Sequence, residues 1–470
     1  MSKMIQLVVS SETFLVSTIV CTILTFTCTL KGQQPSPKPS AEPTAGTANE
    51  TRNNPTADQK SESSPAPSPE PDFWHKETMT GDWGGKRERC KEHGLDMQFT
   101  LTGFVQGTAS GGLRRDSEWN GKFESEFNVD FEKLWGWKYW SAETKVEYRF
   151  GGPVLAGTGV INTVNTDVIV PASQGSVVAI TALNFTRVFP LNPKKRDEIA
   201  VSFGRYNTLD IQEEFFGGAG LEKFFNGAHI GPMTGLRQVP NVTNGASIDY
   251  IRHGESFISF GVLDPNDHST NAGLDHLFAD GVTLAPVINL LSKWHGRTGK
   301  HSFSYTVTTK KYTPFDAIKQ IVIPGPPLNP VPPKRGSFSI SYVGRQYLVE
   351  RGKDDGWGIF TQLSIADKDT SPVTRFFDVG LGGNGILRKR LQDDFGIAYG
   401  YTGLSNVLTD NLSLVTVGNV RPHAEHQFEG FYNLHITPWL KLTGDLQVIR
   451  PVIRRAETAV IPGARLEFIF

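Results

Sequence analysis

Gly121–Leu134 reads GKFESEFNVDFEKL. Taken two residues at a time, Phe123, Ser125, Phe127, Val129 and Phe131 fall on one side. Lys122, Glu124, Glu126, Asn128, Asp130 and Glu132 fall on the other. Period-two alternation marks a β-strand with two different faces. One face here is aromatic and the other is a row of carboxylates, which costs too much to bury unpaired and must therefore be wet.

The same pattern recurs outward from this stretch in both directions. Phe99, Leu101, Gly103 and Val105 share one face of QFTLTGFV, and Val146, Tyr148 and Phe150 oppose Lys145, Glu147 and Arg149. Phe303, Tyr305 and Val307 oppose serine and threonine, as do Phe338, Ile340 and Tyr342. Phe428, Tyr432 and Leu434 oppose Glu429, Asn433 and His435, and Leu440, Leu442, Leu446 and Val448 oppose Lys441, Thr443, Asp445 and Gln447. The chain closes on ARLEFIF, with Leu466, Phe468 and Phe470 opposite Arg465 and Glu467. No amphipathic helix of four turns interrupts the series, which excludes a parallel βαβ architecture. Ile321–Gly336 is too rich in proline for a central strand.

Any one of these strands fits a soluble sandwich, with its polar face on the surface. The whole series does not, because it has too many strands of one type. Phe and Tyr gather near strand ends, as they do in aromatic girdles at two lipid–water interfaces. A barrel in a membrane pairs its first and last strands, since open edges are not tolerated in hydrocarbon, and this chain ends in a strand. The reading is an all-β, transmembrane antiparallel barrel with a short charged N-terminal helix ended by Gly94. About sixteen strands are expected, enough to leave an aqueous channel.

The chain has 470 residues and a net charge of −1, which argues against nucleic acid as a partner. Of three cysteines, Cys21 and Cys28 lie in the apolar run Phe14–Leu30. Residues 1–31 read as an export signal, 32–72 as a Pro/Ser-rich disordered spacer, and 73–470 as the barrel domain. Only Cys90 then remains, with no partner for a disulfide and no cysteine-based zinc site. No cofactor or metal is expected: the histidines lack zinc spacing, and Asp264–His268 lacks the glycine and final glutamate of a calcium loop. Gly380, Gly382 and Gly385 spell a dinucleotide fingerprint, but no βαβ unit surrounds it.

Several motifs, taken together and in order, resemble the carbohydrate-selective porins of the OprB type. They are TGDWGG (Thr80–Gly85), SGGLRR (Ser110–Arg115), GRYNTLD (Gly204–Asp210), DPND (Asp264–Asp267), GLDHLFADGVTL (Gly273–Leu284), GWGIFTQLSIADKD (Gly356–Asp369), VGLGGNGIL (Val379–Leu387) and TPWLKLTGDLQVI (Thr437–Ile449), with the terminal RLEFIF. The resemblance runs from about Phe73 to Phe470. It implies a barrel of sixteen strands in the bacterial outer membrane, with long loops folded inward and passive diffusion of monosaccharides, often glucose. The chain departs from the family's pattern in its spacer, in IPGPPLNPVPP and in VIRP after Gln447.

A pore for neutral sugars needs polar groups that exchange for the hydration waters of hydroxyl pairs. Arg114, Arg115 and Asp116, after SGG and matching the family motif, are candidates for the constriction on an inward-folded loop, with a solvated turn as the alternative reading. Glu124, Glu126 and Asp130 are expected to face the lumen, as are Asp445 and Gln447. Asp264 and Asp267 sit in a second candidate constriction loop, although Asx turns explain them equally well. The expected partners are small neutral sugars, outer-membrane lipid, and the barrel-assembly machinery acting on the strand that ends at Phe470. Monomer and trimer both fit. Rival readings are a general diffusion pore, an envelope structural protein attached to the cell wall through the spacer, and a soluble carbohydrate-binding protein or hydrolase. The first reading involves no enzymatic step.

Overall fold

The computed structural model describes residues 72–152, 158–172, 175–210, 223–319, 331–416 and 422–470. The chain divides into two units, Met1–Phe73 and Trp74–Phe470. The expected signal at 1–31 and all but the last residue of the expected spacer lie outside the described residues, as does most of the proline-rich stretch.

Among the described residues of Trp74–Phe470 the alternating segments form one sheet of seventeen strands. The first four are β1 (Leu95–Gly107), β2 (Ser110–Gly112), β3 (Ser117–Asp130) and β4 (Trp140–Phe150). There follow β5 (Val177–Asn192), β6 (Asp197–Asn207), β7 (Val242–Arg252), β8 (Glu255–Leu263) and β9 (Thr283–Trp294). The next are β10 (Arg297–Tyr312), β11 (Lys334–Gly352), β12 (Asp355–Ala366) and β13 (Val373–Asn384). The last are β14 (Asp394–Leu404), β15 (Glu425–Thr437), β16 (Leu440–Arg450) and β17 (Glu457–Ile469). The three-residue β2 is a spur on β17. The other sixteen form a closed antiparallel ring, as the alternation predicts.

Closure is made by β1 against β17, in register from Thr100↔Ile469 to Gln106↔Gly463. The C-terminus is held beyond the ladder as well. Phe470 N–H donates to the Phe99 carbonyl at 2.8 Å, and Arg87, in the short helix Lys86–Glu92, donates to the Phe470 carbonyl at 2.5 Å.

The two ends of the barrel differ. At one end the hairpins are tight: His253-Gly254 and His295-Gly296 have positive φ at both residues, as type I′ turns require. At the other end, connections such as 151–176 and 208–241 are long. Short turns mark the periplasmic side of outer-membrane barrels and long loops the outer side.

The outward face is apolar. Phe303, Tyr305, Ile340, Ile365 and Leu446 are all exposed. The inward face is polar, and Thr102, Glu147, Asp378, Glu429 and Gln447 are buried on it.

The opening stretch differs from its periodic reading at one point. The ladder stops at Asp130, although the alternation continues through Glu132. The Asp130 carboxylate accepts the Glu132 and Lys133 N–H groups, at 2.9 and 3.2 Å, and so caps the short helix Phe131–Trp135. Phe131 thus leaves the strand face and stacks on Trp135.

Candidate functional site in the barrel lumen

Two long connections fold into the barrel and share its interior. Residues 158–171 come from the β4–β5 connection and 223–238 from the β6–β7 connection. Thr158, Asn162, Val164, Val168, Phe224, Phe225, His229 and Gln238 are each almost wholly buried. The loops bind one another, with Gly227 N–H donating to the Thr163 carbonyl and Thr166 N–H to the Phe225 carbonyl.

Their backbone donors would be orphaned away from water, and carboxylates on the strand wall accept them. Glu425 accepts Ile161 N–H at 2.7 Å and Asn162 N–H at 3.1 Å. Four residues along the same face of β15, Glu429 accepts Phe225 N–H at 2.6 Å and Asn226 N–H at 3.0 Å. The Val164 carbonyl accepts from Gln106 of β1 and Gln447 of β16, at 3.0 and 2.9 Å. His229 Nδ1 lies 2.9 Å from the Asp378 carboxylate.

Apolar contacts complete the anchoring. Phe224 packs on Tyr347, Phe360, Ala398 and Phe431, which point inward from β11, β12, β14 and β15. A Cβ on Gly396 would come within 2.5 Å of the Phe224 ring, so the bare backbone there permits the approach. Phe225 packs on Phe104 and Val168. These contacts hold the loops against the β1 and β11–β17 side of the lumen.

The β3–β6 wall is built differently. Lys122 makes ion pairs with Glu147 at 2.9 Å and Glu124 at 3.2 Å, all three buried. Lys145 pairs with Asp210 at 2.9 Å. Below this cluster lies a cavity of about 400 Å³, lined by Glu126, Glu143, Lys145, Asn184, Tyr206 and Asp210 among others. A second cavity of about 350 Å³ shares Asn128, Glu143 and Asn184 with it and reaches Asp130 and Lys91 beside the short helices. Glu126 accepts from Asn128 at 2.7 Å and Glu143 from Asn184 at 3.1 Å. These two carboxylates are thus held by amides, whereas Glu124 and Glu147 are held by an ammonium.

The residues expected from sequence fall in different places. Arg114 and Arg115 are exposed on the turn after β2, where Arg114 pairs with Asp116 at 2.6 Å. Glu124 and Glu126 are on the inward face of β3, the first in the ion-paired cluster and the second in the cavity. Asp130 is the helix cap already described. Asp445 and Gln447 are buried beneath the folded-in loops, with Gln447 donating to Asp445 at 3.1 Å. Asp264 accepts Asn266 and Phe278 N–H groups, and Asp267 accepts those of Val242 and Ser269, so both organise their own loop. That loop is tied to Arg205 and Asn244 through the carbonyls of Asn271 and Ala272.

The structure adds Lys122, Lys145, Glu147, Tyr206 and Asp210 to the wall, and Phe224, His229, Asp378 and Glu425 to the loop anchors. Period-two alternation carries the wall residues of β3 and β4. No local signal marks Phe224 or His229, whose roles depend on contacts more than a hundred residues away.

A closed barrel with an apolar outside, a polar inside and loops folded into its lumen defines a pore protein. The profile of the carbohydrate-selective porin, OprB family, matches residues 114–470. The chain belongs to that family. It is similar to Porin B of Pseudomonas aeruginosa, at 21% identity over 431 residues covering 83% of this chain and 91% of that protein. Its fold matches the high-pH structure of Pseudomonas putida OprB with a TM-score of 0.71, at 19% identity, covering 85% of this chain and all of the other. Family and fold place it in the outer membrane and point to a channel rather than an enzyme.

Proposed function

We propose that the barrel lets monosaccharides such as glucose, and other small carbohydrates, diffuse passively through a water-filled path along the β3–β6 wall. The observation that carries this reading is the cavity on that wall. It offers two amide-held carboxylates, Glu126 and Glu143, the Lys145–Asp210 pair and the Tyr206 ring. Its volume lies within the roughly 300–1,000 Å³ of small-molecule sites. Carboxylate oxygens and amides exchange for the water around a sugar's hydroxyl pairs, and an aromatic face covers the C–H groups of a pyranose. Binding of this kind is weak and repeated, which suits entry and exit.

The carboxylate excess also sets a preference. Glu126 and Glu143 have no cationic partner among the described residues, so a sugar acid meets like charge along this wall while a neutral hexose does not. Export through residues 1–31, tethering by 32–72 and insertion through the strand ending at Phe470 belong to the same proposal. Proteoliposome permeation tests it: glucose and glucosamine should enter faster than gluconate, and Glu126→Gln with Glu143→Gln should narrow that gap. Equal rates for all three solutes in the unaltered barrel would favour a general diffusion pore.

A further inference from the structure

Among the described residues, the outward face of the barrel carries a feature that sugar passage does not use. A groove of about 660 Å³ crosses the lipid-facing side of β9–β14, lined by Ile288, Phe303, Tyr305, Ile340, Ile365 and Phe377 among others. One charged residue, Arg375, lines it. Arg375 lies on the same face as Phe377 and Val379, two residues from the loop end of β13.

The ladder explains how the groove continues. Phe303, Tyr342, Leu363, Phe377, Tyr401, His426 and Arg450 are successive cross-strand partners from β10 to β16, forming one outward row. The row starts apolar and ends at an exposed guanidinium. Tyr399 and Tyr401 bracket His426 beside it, the Tyr399 hydroxyl 2.8 Å from His426 Nδ1. Arg450, like Arg375, sits at the loop end of its strand and shares a face with Leu442 and Leu446. Arg375 has one polar contact, to Asn406 at 3.4 Å, and neither arginine is ion-paired among the described residues.

A guanidinium aimed at lipid is costly at the bilayer midplane and tolerable at the headgroup level. These two lie at the outer interface, above apolar surface. Arg is the side chain best matched to phosphate. Three inter-strand spacings separate β13 from β16, roughly 14 Å across the strands, and Arg375 stands two residues, about 6.6 Å, beyond the row that ends at Arg450, so the two positions are roughly 16 Å apart. One phosphate does not span that distance, whereas a disaccharide-sized headgroup with a phosphate at each end does. The geometry points to a docking surface for an outer-leaflet glycolipid with several acyl chains and two phosphates, its chains in the β9–β14 groove and its phosphates on Arg375 and Arg450.

The test is native mass spectrometry of the full-length, detergent-solubilised barrel with bisphosphorylated lipid A, dephosphorylated lipid A and phosphatidylglycerol. The bisphosphorylated lipid should be retained at least tenfold better than the other two. Arg375→Gln with Arg450→Gln should remove that preference while single-channel conductance stays unchanged, which separates this surface from the lumen. Equal retention of the three lipids by the unaltered protein would overturn the proposal, and so would undiminished preference in the folded double variant. The first comparison needs no variant, so the proposal stays testable if the substitutions prevent folding.

Discussion

Lys122 shows how a charged residue is tolerated inside this barrel. Its ammonium has two carboxylate partners within 3.2 Å, and all three groups are buried. Replacing it with methionine keeps the volume and removes the ammonium that pairs with both Glu124 and Glu147, leaving them only the more distant Lys145. Loss of one member of a buried pair costs about 3–5 kcal/mol. Urea unfolding of Lys122→Met in detergent micelles should show a destabilisation of that order. A change below about 1 kcal/mol would mean that water or Lys145, not Lys122, compensates the two acids.

Asp393 sits in the short connection between β13 and β14 and has a different environment. Burial pushes its carboxyl up, but Arg390, the Tyr432 hydroxyl and the His435 N–H outweigh that and hold it below the usual aspartate range. A depressed folded-state pKa contributes stability above the unfolded value, near 4, and loses it as pH falls further. Asp393→Asn should therefore cost about 1–3 kcal/mol at neutral pH. The difference from the unaltered protein should shrink below about pH 4, as read from unfolding curves across pH.

At the scale of elements, the folded-in loops hang on a few wall residues. Glu429 takes two consecutive N–H groups of the β6–β7 connection with its two oxygens. In Glu429→Gln one of those oxygens becomes a donor facing a donor. A loss of about 1–3 kcal/mol in anchoring corresponds to roughly five- to 150-fold more frequent loop release. Single-channel records of this variant should show larger mean conductance and more open-channel noise. Gly396→Val should act in the same direction, since its side chain takes the space of the Phe224 ring. Unchanged conductance in both would mean that these loops do not limit the path.

The strands were legible in the sequence because alternation is local. Val146, Tyr148 and Phe150 against Lys145, Glu147 and Arg149 need only six residues to declare two faces. The end of β3 was not legible by that rule: Asp130 keeps the period yet ends the strand, because its carboxylate caps a helix. Gln447 and Asp445 were placed on the inward face from pattern alone. That they lie under a loop was not, because Val164 is 283 residues from Gln447. The folding-in of these loops rests on long-range pairing of loop backbone with wall carboxylates, and no spacing rule reports such a pairing.

At the largest scale, the described strands of Trp74–Phe470 form a ring of sixteen whose lumen is divided unequally. One side holds loops through Glu425, Glu429, Asp378 and Phe224. The other keeps cavities lined by amide-held carboxylates, a lysine–aspartate pair and a tyrosine. In the function proposed above, the conducting path runs on the second side as a narrow channel with weak affinity for neutral sugars. The most direct measurement is single-channel current through the purified barrel in a planar bilayer, titrated with glucose and then with gluconate. The account predicts stepwise conductance that glucose reduces saturably, with gluconate less effective. Steps that neither solute reduces would contradict a sugar site on the β3–β6 wall, and folded protein that gives no steps would contradict the open path itself.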